Sequence, residues 1–116
     1  MPIRGQTFTL QPSATQNASG FSTVQIPVDM FTELDLFVNV TGLTGTSPTV
    51  TVFLQSSPDG GTTWANVPGA TTAALSANGE VEISSVQGIG DLVRVGWTLG
   101  GSGSPTATFA VTAEGK

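Results

Sequence analysis

Leu36-Phe37-Val38-Asn39-Val40-Thr41-Gly42-Leu43-Thr44-Gly45-Thr46-Ser47-Pro48-Thr49-Val50-Thr51-Val52-Phe53-Leu54 decides the fold, because the chain says it twice. The segment Asp35 to Leu54 recurs without a gap as Leu92 to Val111. In both copies a strand-like run enters a Gly/Thr/Ser stretch and leaves it through the same residues, Ser47-Pro48-Thr49-x-Thr51 and Ser104-Pro105-Thr106-x-Thr108. If each copy is a hairpin folded about that stretch, Leu36 pairs with Leu54, Val38 with Val52 and Val40 with Val50. The second copy then pairs Val93 with Val111, Val95 with Phe109 and Trp97 with Ala107. All of these positions are apolar, and a side-chain period of two puts them on one face of each hairpin. Two such faces bury each other, which predicts an all-β, antiparallel β-sandwich, jelly-roll-like or Ig-like, of seven to eight strands built on two similar hairpins.

The rest of the chain fits that class. Turn signals recur every eight to twelve residues and no window shows a 3.6-residue apolar period. Residues 1–20 are rich in Gln, Thr, Ser and Asn and read as an N-terminal arm with a short strand carrying Phe8 and Leu10. Residues 21–116 read as a single sandwich domain. Phe21 to Val28 alternates until Pro27, which ends the ladder or places it at an edge. Ala65 to Leu75 passes a Pro68-Gly69 turn, and Glu80 to Ser84 is a further short strand.

Composition narrows the function. With 116 residues the chain suits one domain that buries roughly 65% of its unfolded surface, so it needs no covalent staple, and it has no cysteine. Eight acidic and three basic residues give a net charge of −5 and a charged fraction of only 9%. The cations Arg4, Arg94 and Lys116 are scattered, whereas a phosphate backbone demands a clustered basic face, so nucleic acid is not expected as a partner. No membrane association is expected either, since no run approaches eighteen consecutive apolar residues. The amino terminus lacks a charged stretch followed by an apolar run, which points to a protein made in the cytosol. A surface so poor in charge is one that other chains can cover.

Catalytic inventory is thin. There is no histidine, so acid–base chemistry would need paired carboxylates in distinct environments. Glu80 and Glu82 share a strand face, and Asp29, Glu33 and Asp35 cluster before the first repeat, but no spacing resembles a calcium loop. A solvated acidic edge that discourages strand-to-strand aggregation explains them. Gly100-Gly101-Ser102-Gly103 reads as a flexible loop between strands and has no helix terminus to offer phosphate. Ser57-Pro58-Asp59-Gly60-Gly61-Thr62-Thr63-Trp64 fits Ser-x-Asp-x-Gly-x-Thr-Trp, the Asp-box of sialidase-type propellers and other β proteins. It resembles a structural device, with an aspartate capping its own turn, a glycine supplying positive φ and a tryptophan packing beneath. No catalytic residue, cofactor or metal ligand is expected.

The same hairpin register places Phe37 opposite Phe53, away from the core, where the second copy has Arg94 and Ala110. An aromatic pair left in water invites association. Three coverings are open: residues 1–20 with Phe8 or Leu10 folding over it, a neighbouring subunit, or a sugar stacked on the rings. Phe37, Phe53, Phe8 and Leu10 are therefore the expected interface residues.

Taken together, Leu36 to Val52, Gln55 to Trp64, Val93 to Gly101 and Ser104 to Phe109 resemble small β-sandwich virion proteins of tailed bacteriophages, over about two-thirds of the chain. The resemblance implies a head decoration or cement protein located on the virion, at the capsid surface. It further implies partners among the major capsid protein and other virion subunits, and a homo-oligomer, commonly a trimer. A tail or baseplate subunit and a carbohydrate-binding adhesion module are the alternatives.

Overall fold

The computed structural model describes residues 6–28, 31–87 and 89–116. Seven strands form it, and no helix interrupts them among the described residues: β1 (Gln6–Gln16), β2 (Gly20–Phe21), β3 (Ile26–Pro27), β4 (Leu34–Ser57), β5 (Ala65–Thr71), β6 (Gly79–Val86) and β7 (Leu92–Gly115). The two sequence repeats are the two longest strands, β4 and β7, of 24 residues each.

They are not two hairpins. β4 and β7 pair with each other, antiparallel from Leu34 with Gly115 to Ser57 with Leu92. Leu36 lies beside Ala113, Val38 beside Val111, Val40 beside Phe109, Val50 beside Leu99, Val52 beside Trp97 and Leu54 beside Val95. The expected pairings within each repeat are thereby corrected. The stretch after Val40 carries Gly and Ser-Pro, which bend a strand as readily as they reverse it, and periodicity does not distinguish a bend from a turn. A straight strand of this length would reach roughly 80 Å, yet the longest dimension of the molecule is 47 Å. The ribbon is folded across its middle. Gly45 and Ser47 in β4, and Gly101, Gly103 and Ser104 in β7, have positive φ at that place. Gly100 to Gly103 is thus a paired bend within the ribbon and not a free loop.

Folding the ribbon divides it between two sheets. One sheet runs β1, the second half of β7, the first half of β4, and β6. The other runs β2 with β3, the first half of β7, the second half of β4, and β5. Counting each bent strand twice and β2 with β3 once gives eight strands in two four-stranded layers, the jelly-roll arrangement. The apolar residues of the repeats then meet across the layers. Leu36, Val38, Val40, Val50, Val52, Leu54, Val93, Val95, Trp97, Ala107, Phe109 and Val111 are all buried, joined by Leu10, Val28, Leu34, Val67, Ala70, Val86 and Ala113. The predicted core face is correct although the predicted partners are not, because either pairing preserves the side-chain period.

Residues 6–16 depart from the expected short strand and arm. β1 runs eleven residues along the second half of β7, with register shifts near Gln11, and is an edge of the first sheet. Pro27 does sit at an edge, in β3, which pairs with β7 alone. Ser22 links the broken strand to the sheet: its hydroxyl accepts from the Val95 amide at 3.2 Å and donates to the Val24 carbonyl.

Candidate functional site

Alternation along β4 turns Phe37 and Phe53 outward, but the fold in the ribbon places them on different layers. Phe37 lies between Thr112 and Glu82 on the outer face of the first sheet, whereas Phe53 lies between Gly96 and Thr71 on that of the second. The predicted aromatic pair does not form. Phe8 turns inward beside Ala113, half-buried, with its ring centroid 5.9 Å from that of Phe31. Leu10 is wholly buried in its own subunit, so it is a core residue and not a contact for a neighbour.

A different cluster occupies the outer face of the second sheet. Phe53 meets Phe21 edge-on at 6.1 Å between centroids. Gly96, on the strand between them, makes this possible, since a Cβ there would stand 2.5 Å from Phe53 Cζ and 2.9 Å from Phe21 Cδ1. One register step along, Arg94 pairs with Gln55 and donates from Nε to its Oε1 at 2.9 Å. The guanidinium carbon of Arg94 lies 4.2 Å from the centroid of Phe21 and 4.3 Å from that of Trp64, a double cation–π contact. Phe21 is 47% exposed and is the one large apolar side chain so open among the described residues. Gln55 Nε2 in turn donates to Asn66 Oδ1 at 2.9 Å on β5. No described carboxylate pairs with Arg94; the ion pair present joins Lys116 to Asp35.

Only Phe53 of this cluster is among the expected interface residues. The repeat held a signal for the rest: it maps Phe37 onto Arg94, and swapping partners between repeats brings Arg94 to the strand beside Phe53. Trp64 was legible as part of its turn and as an aromatic that a carbohydrate-binding module could expose, but not as a neighbour of Arg94. That turn is built as the motif implies. Ser57 Oγ donates to Asp59 Oδ1 and accepts from Gly61 N, both at 2.8 Å; Thr63 donates to Asp59 through N at 2.9 Å and through Oγ1 at 2.8 Å. These donors, the Thr63 amide first, hold the Asp59 carboxyl below the usual carboxylate range. Gly60 and Gly61 have positive φ, and Trp64 Nε1 donates to the Gly61 carbonyl at 3.1 Å. Asp59 is consumed by its own turn, and the turn presents Trp64 to Arg94. Trp97, by contrast, is in the core, edge-on to Phe109 at 5.4 Å and bonded through Nε1 to the Ala18 carbonyl.

The acidic groups divide. Glu80 and Glu82 stand exposed on the outer face of β6, an edge strand. Asp29 lies outside the described residues. Asp35 is buried, takes an ion pair from Lys116 Nζ at 2.6 Å and accepts from the Ser85 amide at 2.8 Å, while Ser85 holds φ at 57°. The Lys116 contact first and the Ser85 amide second hold the Asp35 carboxyl below its ordinary value. A carboxyl more acidic folded than unfolded stabilises the fold above the unfolded pKa of about 3.9 and loses that contribution as pH falls through the lower folded value. The urea midpoint should therefore decline on going from about pH 5 to about pH 2, and Asp35→Asn should flatten that decline; an unchanged slope in the variant would assign it to other groups. Among the described residues no three His, Cys, Asp or Glu side chains converge as a metal site would require.

No family model and no curated protein matches the sequence. Solved structures do match its shape. The CBM36-1 domain of a multidomain xylanase from the hindgut metagenome of Trinervitermes trinervoides superposes with a TM-score of 0.53 at 10% identity, over 97% of each chain. The low-affinity xylan-binding module CBM86 from Roseburia intestinalis gives 0.49 at 14% identity, over 95% of this chain and 93% of that one. The SPBc2 prophage-derived protein YomS gives 0.46 at 14% identity, over 97% and 96%. At such identities the first of these likenesses establishes the all-β sandwich fold and nothing further.

Proposed function

We propose that the chain is a non-catalytic structural protein of a phage particle, of the head decoration or cement type, acting through subunit–subunit contacts. The observation that supports this most is the outer face of the second sheet. Its core is already complete beneath it, yet it leaves Phe21 exposed beside the half-buried Phe53, Trp64 and Arg94 on a molecule with little other surface charge. Such a patch suits repeated packing, in which many modest contacts add across a symmetric shell. The sequence resemblance to small virion proteins supplies the particle, and with it a major capsid protein as partner and a trimeric state. Fractionation of the encoding phage into heads and tails, with this chain followed by mass spectrometry, tests the reading: recovery with heads supports it, recovery with tails makes the chain a tail or baseplate subunit, and absence from both sinks it.

A second reading, a carbohydrate-binding adhesion module, is favoured by the rings of Phe21 and Trp64 on one sheet face and by a fold shared with a xylanase-borne module. Glycan binding that disappears on Trp64→Ala would support it. Trp97, buried in the core as its inward position predicts, offers no ring to a sugar.

A further inference from the structure

The two outer faces of the sandwich carry complementary features. The second sheet offers Phe21 and Phe53 beside Arg94. Both aromatic rings around the Arg94 guanidinium limit its access to water, and Gln55 occupies its Nε, so the remaining N–H groups form a fork open to an acceptor in the guanidinium plane. The first sheet offers an outward Phe37 with Glu82 directly beside it and Glu80 one outward step along, next to Asn39. Neither carboxylate has a hydrogen-bond or ion-pair partner among the described residues. One face is aromatic with a cation, the other aromatic with two anions.

We infer that the Arg94 face of one copy docks on the Phe37/Glu80/Glu82 face of a second copy of this chain, with a β6 carboxylate received by the Arg94 fork and Phe21 covered by the partner's sheet. The charge complementarity selects this occupant: in a chain of net charge −5, two like faces would set Arg94 against Arg94 or glutamates against glutamates. The contact is heterologous, since each copy uses two different surfaces, and such contacts close into a ring or continue as a stack according to the rotation between copies. It names how the subunit contacts of the proposed assembly are made, and rests on that reading for its biological setting; its test needs only the purified chain.

Light scattering across a concentration series reads the association directly. The wild type should gain mass with concentration, and added salt should oppose this. Arg94→Glu should weaken association by at least ~100-fold, and Arg94→Lys, which keeps charge without the fork, by roughly tenfold. The double variant Glu80→Lys/Glu82→Lys should also be monomeric. Mixing it with Arg94→Glu should then restore association, because each variant retains one intact face and the two altered faces again set opposite charges together. Circular dichroism of each variant confirms the fold. A wild type that stays monomeric throughout overturns the inference, as does an Arg94→Glu variant that associates normally. A double variant that still associates while Arg94→Glu does not would mean that two Arg94 faces meet each other, and also overturns it. Self-association without recovery in virions would sink the phage reading and leave this contact standing.

Discussion

Gly101→Val should prevent the chain from closing its sandwich and leave little cooperative unfolding signal to measure. Gly101 holds φ at 108°, in the region that L side chains avoid. A Cβ there would stand 2.8 Å from the carbonyl oxygens of Thr46 and Ser47 and 3.0 Å from Pro48 Cα. All three atoms are backbone, so no rotamer change relieves the clash; the bend of β4 would have to move away from the bend of β7. Gly45 mirrors it, with a built Cβ 2.9 Å from Pro105 Cα. Strain of this kind costs about 1–3 kcal/mol before any overlap is counted, against a total stability of about 5–15 kcal/mol for a domain. Gly60→Ala is the control: its φ is also positive, at 74°, but nothing lies within 4 Å of the added carbon. It should lose only about 1 kcal/mol. Equal losses in urea melts of Gly101→Ala and Gly60→Ala would show that close approach of the two bends is unimportant.

Phe109→Ala should remove about 3–5 kcal/mol, lowering the urea midpoint by more than ~1.5 M. Phe109 is the largest wholly buried side chain and meets Trp97 edge-on. It lies where the second half of β7 crosses Val40 of β4, so truncation opens a cavity between the layers. Phe53→Ala removes the same atoms from an outer face, where little collapses behind them, and should cost about 1 kcal/mol. If the two variants melted alike, the core would not be the folded ribbon described above.

What was legible in the sequence follows from what a two-residue period encodes. Alternation in Leu36-x-Val38-x-Val40 and Val93-x-Val95-x-Trp97 fixes which side chains face inward, and every one is buried. It is silent about which strand lies alongside, because an antiparallel partner supplied by the other repeat satisfies the same alternation as one supplied by the same repeat. The partnership depends on whether the Ser47-Pro48 and Ser104-Pro105 segments reverse the chain or bend it. That difference resides in backbone geometry between segments far apart in sequence. The same ambiguity hid the Arg94 cluster: the outward position of Phe53 was readable, whereas its neighbours across Gly96 belong to strands whose order was not. The Asp59 cap of the Ser57 to Trp64 turn was readable because its bonds are local, whereas the Asp91 amide that donates to the Ser57 carbonyl and the stacking of Trp64 on Arg94 were not.

Pairing β4 with β7 also sets the order of events during synthesis. Every ribbon contact of β4, from Ser57 with Leu92 to Leu34 with Gly115, awaits a strand that leaves the ribosome much later. Until β7 is made the first repeat can pair only with β5 and β6, and its edge toward β7 stays open. Closure of so many distant contacts is slow, on the order of milliseconds to seconds. The nascent first half is therefore the stage at which this molecule is most exposed to aggregation and to chaperones, and its low charge offers that stage little electrostatic protection.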